Sequence, residues 1–137
     1  MDPQQELFTK ALVAIRERGR ELGFKVYDGL LPPRGTAYPF VYLEDTGQDD
    51  KQTKGPIIGT VNLKVSVWHD KPTRRGDLSS VMETVKDAIR RLPLGTFRFD
   101  CAGIKTRIIA EPPGGTERGA KALLHGVIDA KFRFSPA

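Results

Sequence analysis

The sequence predicts an α+β fold, a mainly antiparallel sheet with two helices packed on one face, in the order α-β-β-β-α-β-β-β. Three observations carry this expectation. Two segments, near the N-terminus and around residues 78–92, place apolar residues at helical spacing. Other segments alternate apolar and polar residues with the period of a strand. Consecutive strands lie between and after the helices, a pattern of α+β proteins. The length of 137 residues favours one domain, spanning 1–137.

The first helix is signalled at both ends. Asp2 can cap it, Pro3 suits its first position and Gln5 completes a capping-box pattern. Phe8, Ala11, Leu12, Ile15 and Leu22 share a face, and Gly19 or Gly23 can end it. Phe24 to Asp28 follows as a short strand. Pro32, Pro33 and Gly35 then break regular structure. Pro39 suits the start of the next strand, Phe40 to Glu44. The stretch TGQDDKQTKGP has no apolar residue before Pro56 and is expected to be an unstructured polar loop.

The strand TVNLKVSVWHD is the clearest. Val61, Leu63, Val65 and Val67 point to a core, with Asn62, Lys64, Ser66 and Trp68 on the opposite face. Trp68 is either a contact residue or packed under the Lys71–Asp77 loop. The second helix runs from about Leu78, capped by Asp77, to Leu92, with Leu78, Val81, Met82, Val85, Ile89 and Leu92 as its stripe. Pro93 and Gly95 stop it. Three strands are expected to finish the fold: Thr96 to Cys101, Lys105 to Glu111 and Ala120 to Phe134. The last is long enough to suggest a bulge near Gly126.

Composition narrows the function classes. A single cysteine, Cys101, allows no intrachain disulfide. No apolar run reaches the roughly 18 residues that span a bilayer, and MDPQQELF lacks the features of a signal peptide. A net charge of +5 permits acidic partners or nucleic acid, but the basic residues are scattered. The two histidines, His69 and His125, do not form a zinc spacing, even with Cys101. Asp45, Asp49 and Asp50 lack the pattern of a calcium loop. QTKGP and PPGG lack the spacing of a phosphate loop. No catalytic, cofactor or metal residues are therefore assigned, and no enzymatic activity is expected.

The segment VYDGLLPPRGTAYPFVYLED resembles the early part of bacteriophage tail-terminator, or tail-to-head joining, proteins. The matching residues are Tyr27, Asp28, Pro32, Pro33, Tyr38, Pro39, Phe40 and Val41. The resemblance continues through a polar loop, the strand Val61 to Trp68, the helix Leu78 to Leu92 and the closing HGVIDAKFRF. It implies a structural virion protein, a hexameric ring that caps the tail tube, ends its growth and docks on the head connector or stopper. The implied partners are copies of itself, the tail tube protein, the connector and DNA passing through the lumen without sequence-specific contact. It also implies assembly in the host cytoplasm, residence in the virion tail or neck, and no membrane partner.

Candidate assembly contacts are Gln48, Asp49, Asp50, Lys51, Lys54, Lys64, Trp68, Glu117 and Arg118. Those near residue 50 and residue 117 belong to the expected loops Thr46–Pro56 and Glu111–Gly119. The competing readings are another connector component, adaptor or stopper, and a monomeric basic nucleic-acid-binding module.

Overall fold

A computed structural model of the chain describes residues 2–29, 32–33, 35–111 and 122–137. Helix α1 spans Pro3–Leu22. Its first turn is held by the Asp2 carboxylate, which accepts from the Gln5 N–H at 2.8 Å. Gly23 closes the helix in the left-handed region at φ 86°, where a side chain would be strained. Leu7, Ala11 and Ile15 are its fully buried stripe, flanked by Phe8 and Leu12. Leu22, expected on that face, is exposed in the last position of the helix.

The strands are β1 (Lys25–Asp28), β2 (Phe40–Lys51), β3 (Ile58–His69), β4 (Phe97–Glu111) and β5 (Leu123–Pro136), with helix α2 (Arg75–Arg90) between β3 and β4. They form one sheet in the order β1-β2-β3-β5-β4. The β1–β2 pair is parallel, and every other pair is antiparallel. The fold is therefore α+β and mostly antiparallel, as the periodicity predicts.

Four boundaries differ from the sequence-based expectation. Gln48, Asp49, Asp50 and Lys51 lie not in a loop but on β2, paired with Val61, Thr60, Gly59 and Ile58. Backbone hydrogen bonds to β3 hold this polar segment extended, and they require no apolar periodicity. The two strands expected within Thr96 to Glu111 are one strand, with Ala102 bulged between the paired Cys101 and Gly103. No bulge occurs at Gly126, which stays in register between Val67 and Ile108. Helix α2 begins at Arg75, so Asp77 lies in its first turn and not at its cap, and it ends at Arg90.

Both helices lie on the same face of the sheet. Val61, Leu63, Val65 and Val67 of β3 meet Leu124, Ile128, Ala130 and Phe132 of β5 there, and all are buried. Leu78, Met82, Val85 and Ile89 of α2 join the same core. A Cβ at Gly126 would stand 2.5 Å from the Met82 sulfur, so the glycine lets α2 lie close against β5.

One polar group is built into the edge of this core. The Glu6 carboxylate on α1 accepts from the N–H of Phe97 at 2.9 Å and of Thr96 at 3.1 Å, where β4 begins. Lys10, one turn later, lies 3.2 Å from Glu6 and also donates to the Pro93 carbonyl. Burial opposes ionisation of Glu6, but the Phe97 N–H, Lys10 and the Thr96 N–H outweigh it, and the pKa falls below the ordinary 4.5.

Candidate functional site

Strand alternation sends a second set of side chains to the face that carries no helix. This open face divides into two regions. Toward the β1 end it is aromatic. Phe40 is fully buried although it points away from the helical core. It meets Tyr27 edge-on at 5.7 Å and Tyr38 at 5.2 Å between ring centroids. Tyr42 donates its hydroxyl to the Gly29 carbonyl at 2.6 Å, which ties the start of the proline-marked connection back to β2. Pro32 of that connection is buried. The residues of YPFV thus build a small second core: Tyr38 and Phe40 pack on the open face while Val41 enters the helical core.

A hydrogen-bonded row crosses the middle of the face. Ser66 on β3 donates to Glu44 Oε2 at 2.7 Å. Its oxygen lies 2.7 Å from His125 Nε2 on β5, so it accepts from that ring N–H. His125 Nδ1 stands 3.6 Å from Glu111 Oε1 at the end of β4. Lys64 reaches Glu44 Oε2 at 3.7 Å. Trp68 stacks flat on the His125 ring, with centroids 3.8 Å apart and planes 7° apart. Burial pushes the His125 pKa below its ordinary 6.5, with Glu44 and Glu111 pulling the other way.

Ser66, His125 and Glu111 stand in the order of a hydrolytic triad. Ser66, however, has no exposed surface, and its hydroxyl proton is committed to Glu44. A buried hydroxyl facing a carboxylate is not presented to a substrate. What the row does is tie β2, β3 and β5 together across the sheet, with Glu111 of β4 beside its end.

Toward the other end the face is charged. In register, Lys64 lies beside Asp129, and Asp129 beside Lys105. On β2, Lys64 faces the bulge formed by Glu44 and Asp45. The signs therefore alternate from β2 to β4. A shallow groove of about 690 Å³, lined by Asp45, Lys64, Lys105, Asp129 and Lys131, runs over this row.

The structure distributes the sequence-predicted contact residues as follows. Lys64 and Trp68 lie on the open face, where Trp68 packs on His125. Asp49 and Lys51 share that face at the exposed end of β2. Gln48 and Asp50 point to the helical side, where the Gln48 amide donates to Asp50 at 2.7 Å. Lys54 is exposed in the turn after β2. Glu117 and Arg118 lie outside the described residues. Among the described residues, no cluster of three or more His, Cys, Asp or Glu is arranged to hold a metal. His125, Ser66 and Glu44 were not predicted as one site. Their alternation was readable, but not that β5 inserts beside β3.

No family model and no curated protein matches the sequence. Solved structures do match. One is a chain from the virion of a native gene transfer agent particle, with a TM-score of 0.57 at 20% identity, covering 93% of this chain and 97% of that one. At this identity the likeness is one of fold. Over nearly its whole length, the chain is built like a chain of that virion.

Proposed function

We propose that this chain is a structural protein of a phage-like virion, forming a hexameric ring at the head-proximal end of the tail tube. The ring ends tube growth and joins the tail to the head connector, and no catalysis is involved. The observation that carries the reading is the fold shared with a gene transfer agent virion chain across 93% of this chain. The resemblance of VYDGLLPPRGTAYPFVYLED to tail terminators supports the finer assignment. Its aromatic residues build a fixed part of the open face, around the buried Phe40. Gln48, Asp49, Asp50, Lys51, Lys54, Lys64 and Trp68 serve as assembly contacts in this reading, and DNA crosses the lumen without sequence-specific contact.

The test is to delete the gene in the host that makes the particles and to image the products by electron microscopy. Tail tubes of uncontrolled length and heads without tails are expected, with both defects repaired by supplying the protein. Gold-labelled antibody should mark the head-proximal end of complete tails. Tails of normal length joined to heads in the deletion strain would overturn the reading. Normal tubes with unjoined heads would favour a stopper or adaptor.

A further inference from the structure

Strand β4 is the last strand of the sheet, and among the described residues no strand lies along its outer edge. The bulge at Ala102 divides it into two unlike halves. Before the bulge, Arg98 and Asp100 offset one another. After it, from Gly103 to Ile109, the only charged residues are Lys105 and Arg107. Both are exposed and stand on the open face. Lys105 has Asp129 beside it on β5, but Arg107 stands across from Val127 and has no ion-pair partner among the described residues.

The other face of the same stretch carries Thr106 and Ile108, and here α2 lies alongside. Between helix and strand runs a groove of about 300 Å³, lined by Arg75, Met82, Glu83, Lys86 and Ile108. Met82 is buried and Ile108 partly buried, so the groove has an apolar part. Lys86 is held by Glu83 at 2.7 Å, whereas Arg75 is exposed at the start of α2. The unpaired ladder groups of β4 thus run between a basic face and a partly apolar groove. A free edge of this kind is a template for an added strand.

We propose that this edge takes an extended segment of another protein, with acidic residues at alternate positions and apolar residues between them. Parity sets the pattern. In a strand added beside Gly103–Ile109, one set of side chains lies next to Lys105 and Arg107, and the set between turns toward the groove. Carboxylates in the first set meet the two cations, and an apolar side chain in the second covers Met82 and Ile108. Main-chain hydrogen bonds to β4 supply the remaining attraction. A nucleic-acid strand fits less well, because the groove offers no aromatic ring for a base to stack on and Glu83 stands in its wall. The inference goes beyond the ring reading and does not depend on it.

The test uses the whole protein and a synthetic peptide of about seven residues, the length of a short strand, alternating glutamate and valine. In an NMR titration the amide signals of Gly103–Ile109 and of the start of α2 should shift. Alternate amides of β4 should become protected from exchange, since every second one points outward. Lys105→Glu combined with Arg107→Glu should weaken binding about tenfold, because two attractive pairs become repulsive. Circular dichroism establishes that this variant is folded, and Arg107→Gln takes its place if it is not. Three controls can overturn the proposal. One is equal binding of a peptide with lysine for glutamate, and another is equal binding of the same glutamates and valines in two blocks, which shows charge without strand addition. The third is tighter binding of a short oligothymidine than of the acidic peptide, which would make the edge a nucleic-acid contact. Shifts confined to other parts of the sheet, or no binding, would also overturn it. So would self-association in light scattering that Arg107→Gln abolishes, since a second copy then occupies the edge.

Discussion

Replacing Glu6 should separate a structural carboxylate from a decorative one. In the native protein its two oxygens take the N–H groups of Thr96 and Phe97 and the Lys10 ammonium, at 3.1, 2.9 and 3.2 Å. Glu6→Ala leaves both N–H groups without this acceptor, one of them on buried Phe97. Hydrogen bonds to a charged group contribute about 1.5–3 kcal/mol, and a stranded buried donor costs about 1–3 kcal/mol. Lys10 keeps the Pro93 carbonyl, which limits the damage. The expected loss is about 3 kcal/mol, or roughly 10 °C in the thermal midpoint for a chain of this size. Glu6→Gln retains one acceptor oxygen but turns an NH₂ group toward the other donor, and should cost about half as much.

The pH dependence supplies the sharper assay. The folded-state pKa of Glu6 is depressed below 4.5. Its contribution is therefore complete above that value and disappears as pH falls through the folded pKa. Urea titrations at pH 7 and at steps below pH 4.5 should show the gap between native protein and Glu6→Gln narrowing with acid. A gap of under 0.5 kcal/mol at neutral pH, or one that widens in acid, would refute the account of Glu6 as an ionised clamp between α1 and β4.

Other perturbations follow from the same packing. Val65→Asp would bury an unpaired charge in the helical core and should abolish folding by circular dichroism. Lys64→Glu should fold with a loss of about 1 kcal/mol in urea, since Glu44 and Asp129 are then its like-charged neighbours. Gly59→Ala would drive a methyl group into the Asp49 carbonyl of the paired strand and should cost over about 2 kcal/mol by the same titration. His125 has a depressed pKa, so its contribution to stability is complete above about pH 6.5 and lost as pH falls toward its folded value. His125→Gln should flatten the stability profile below pH 6.5, and an unchanged profile would show that the Glu44–Ser66–His125 row does not govern it.

The elements legible in the sequence were those whose burial is one-sided. Val61 to Val67 and the stripe of α2 alternate or repeat with their own period, and the caps Asp2 and Gly23 are local chemistry. The far half of β2 was not legible. From Thr46 to Lys51 neither face enters a core, and the strand exists because β3 is already extended beside it. The bulge at Ala102 was misread for a related reason: AG between two strand-like runs looks like a turn, and only the unbroken partner β5 shows otherwise. The Ser66–His125 contact joins residues on strands that alternation describes separately, and no pattern within either strand names its neighbour. Lys64 and Trp68 were placed on the correct face because that follows from parity along one strand.

The order β1-β2-β3-β5-β4 also constrains how the molecule can come into being. The last strand in the chain does not finish at a margin but slots between β3 and β4, which were made before it. Until β5 arrives, β4 has no strand to lie against, and the Glu6 clamp must wait for residues about ninety positions downstream. Maturation is thus a late, wedge-like closure dominated by distant contacts, the regime in which chains fold slowly.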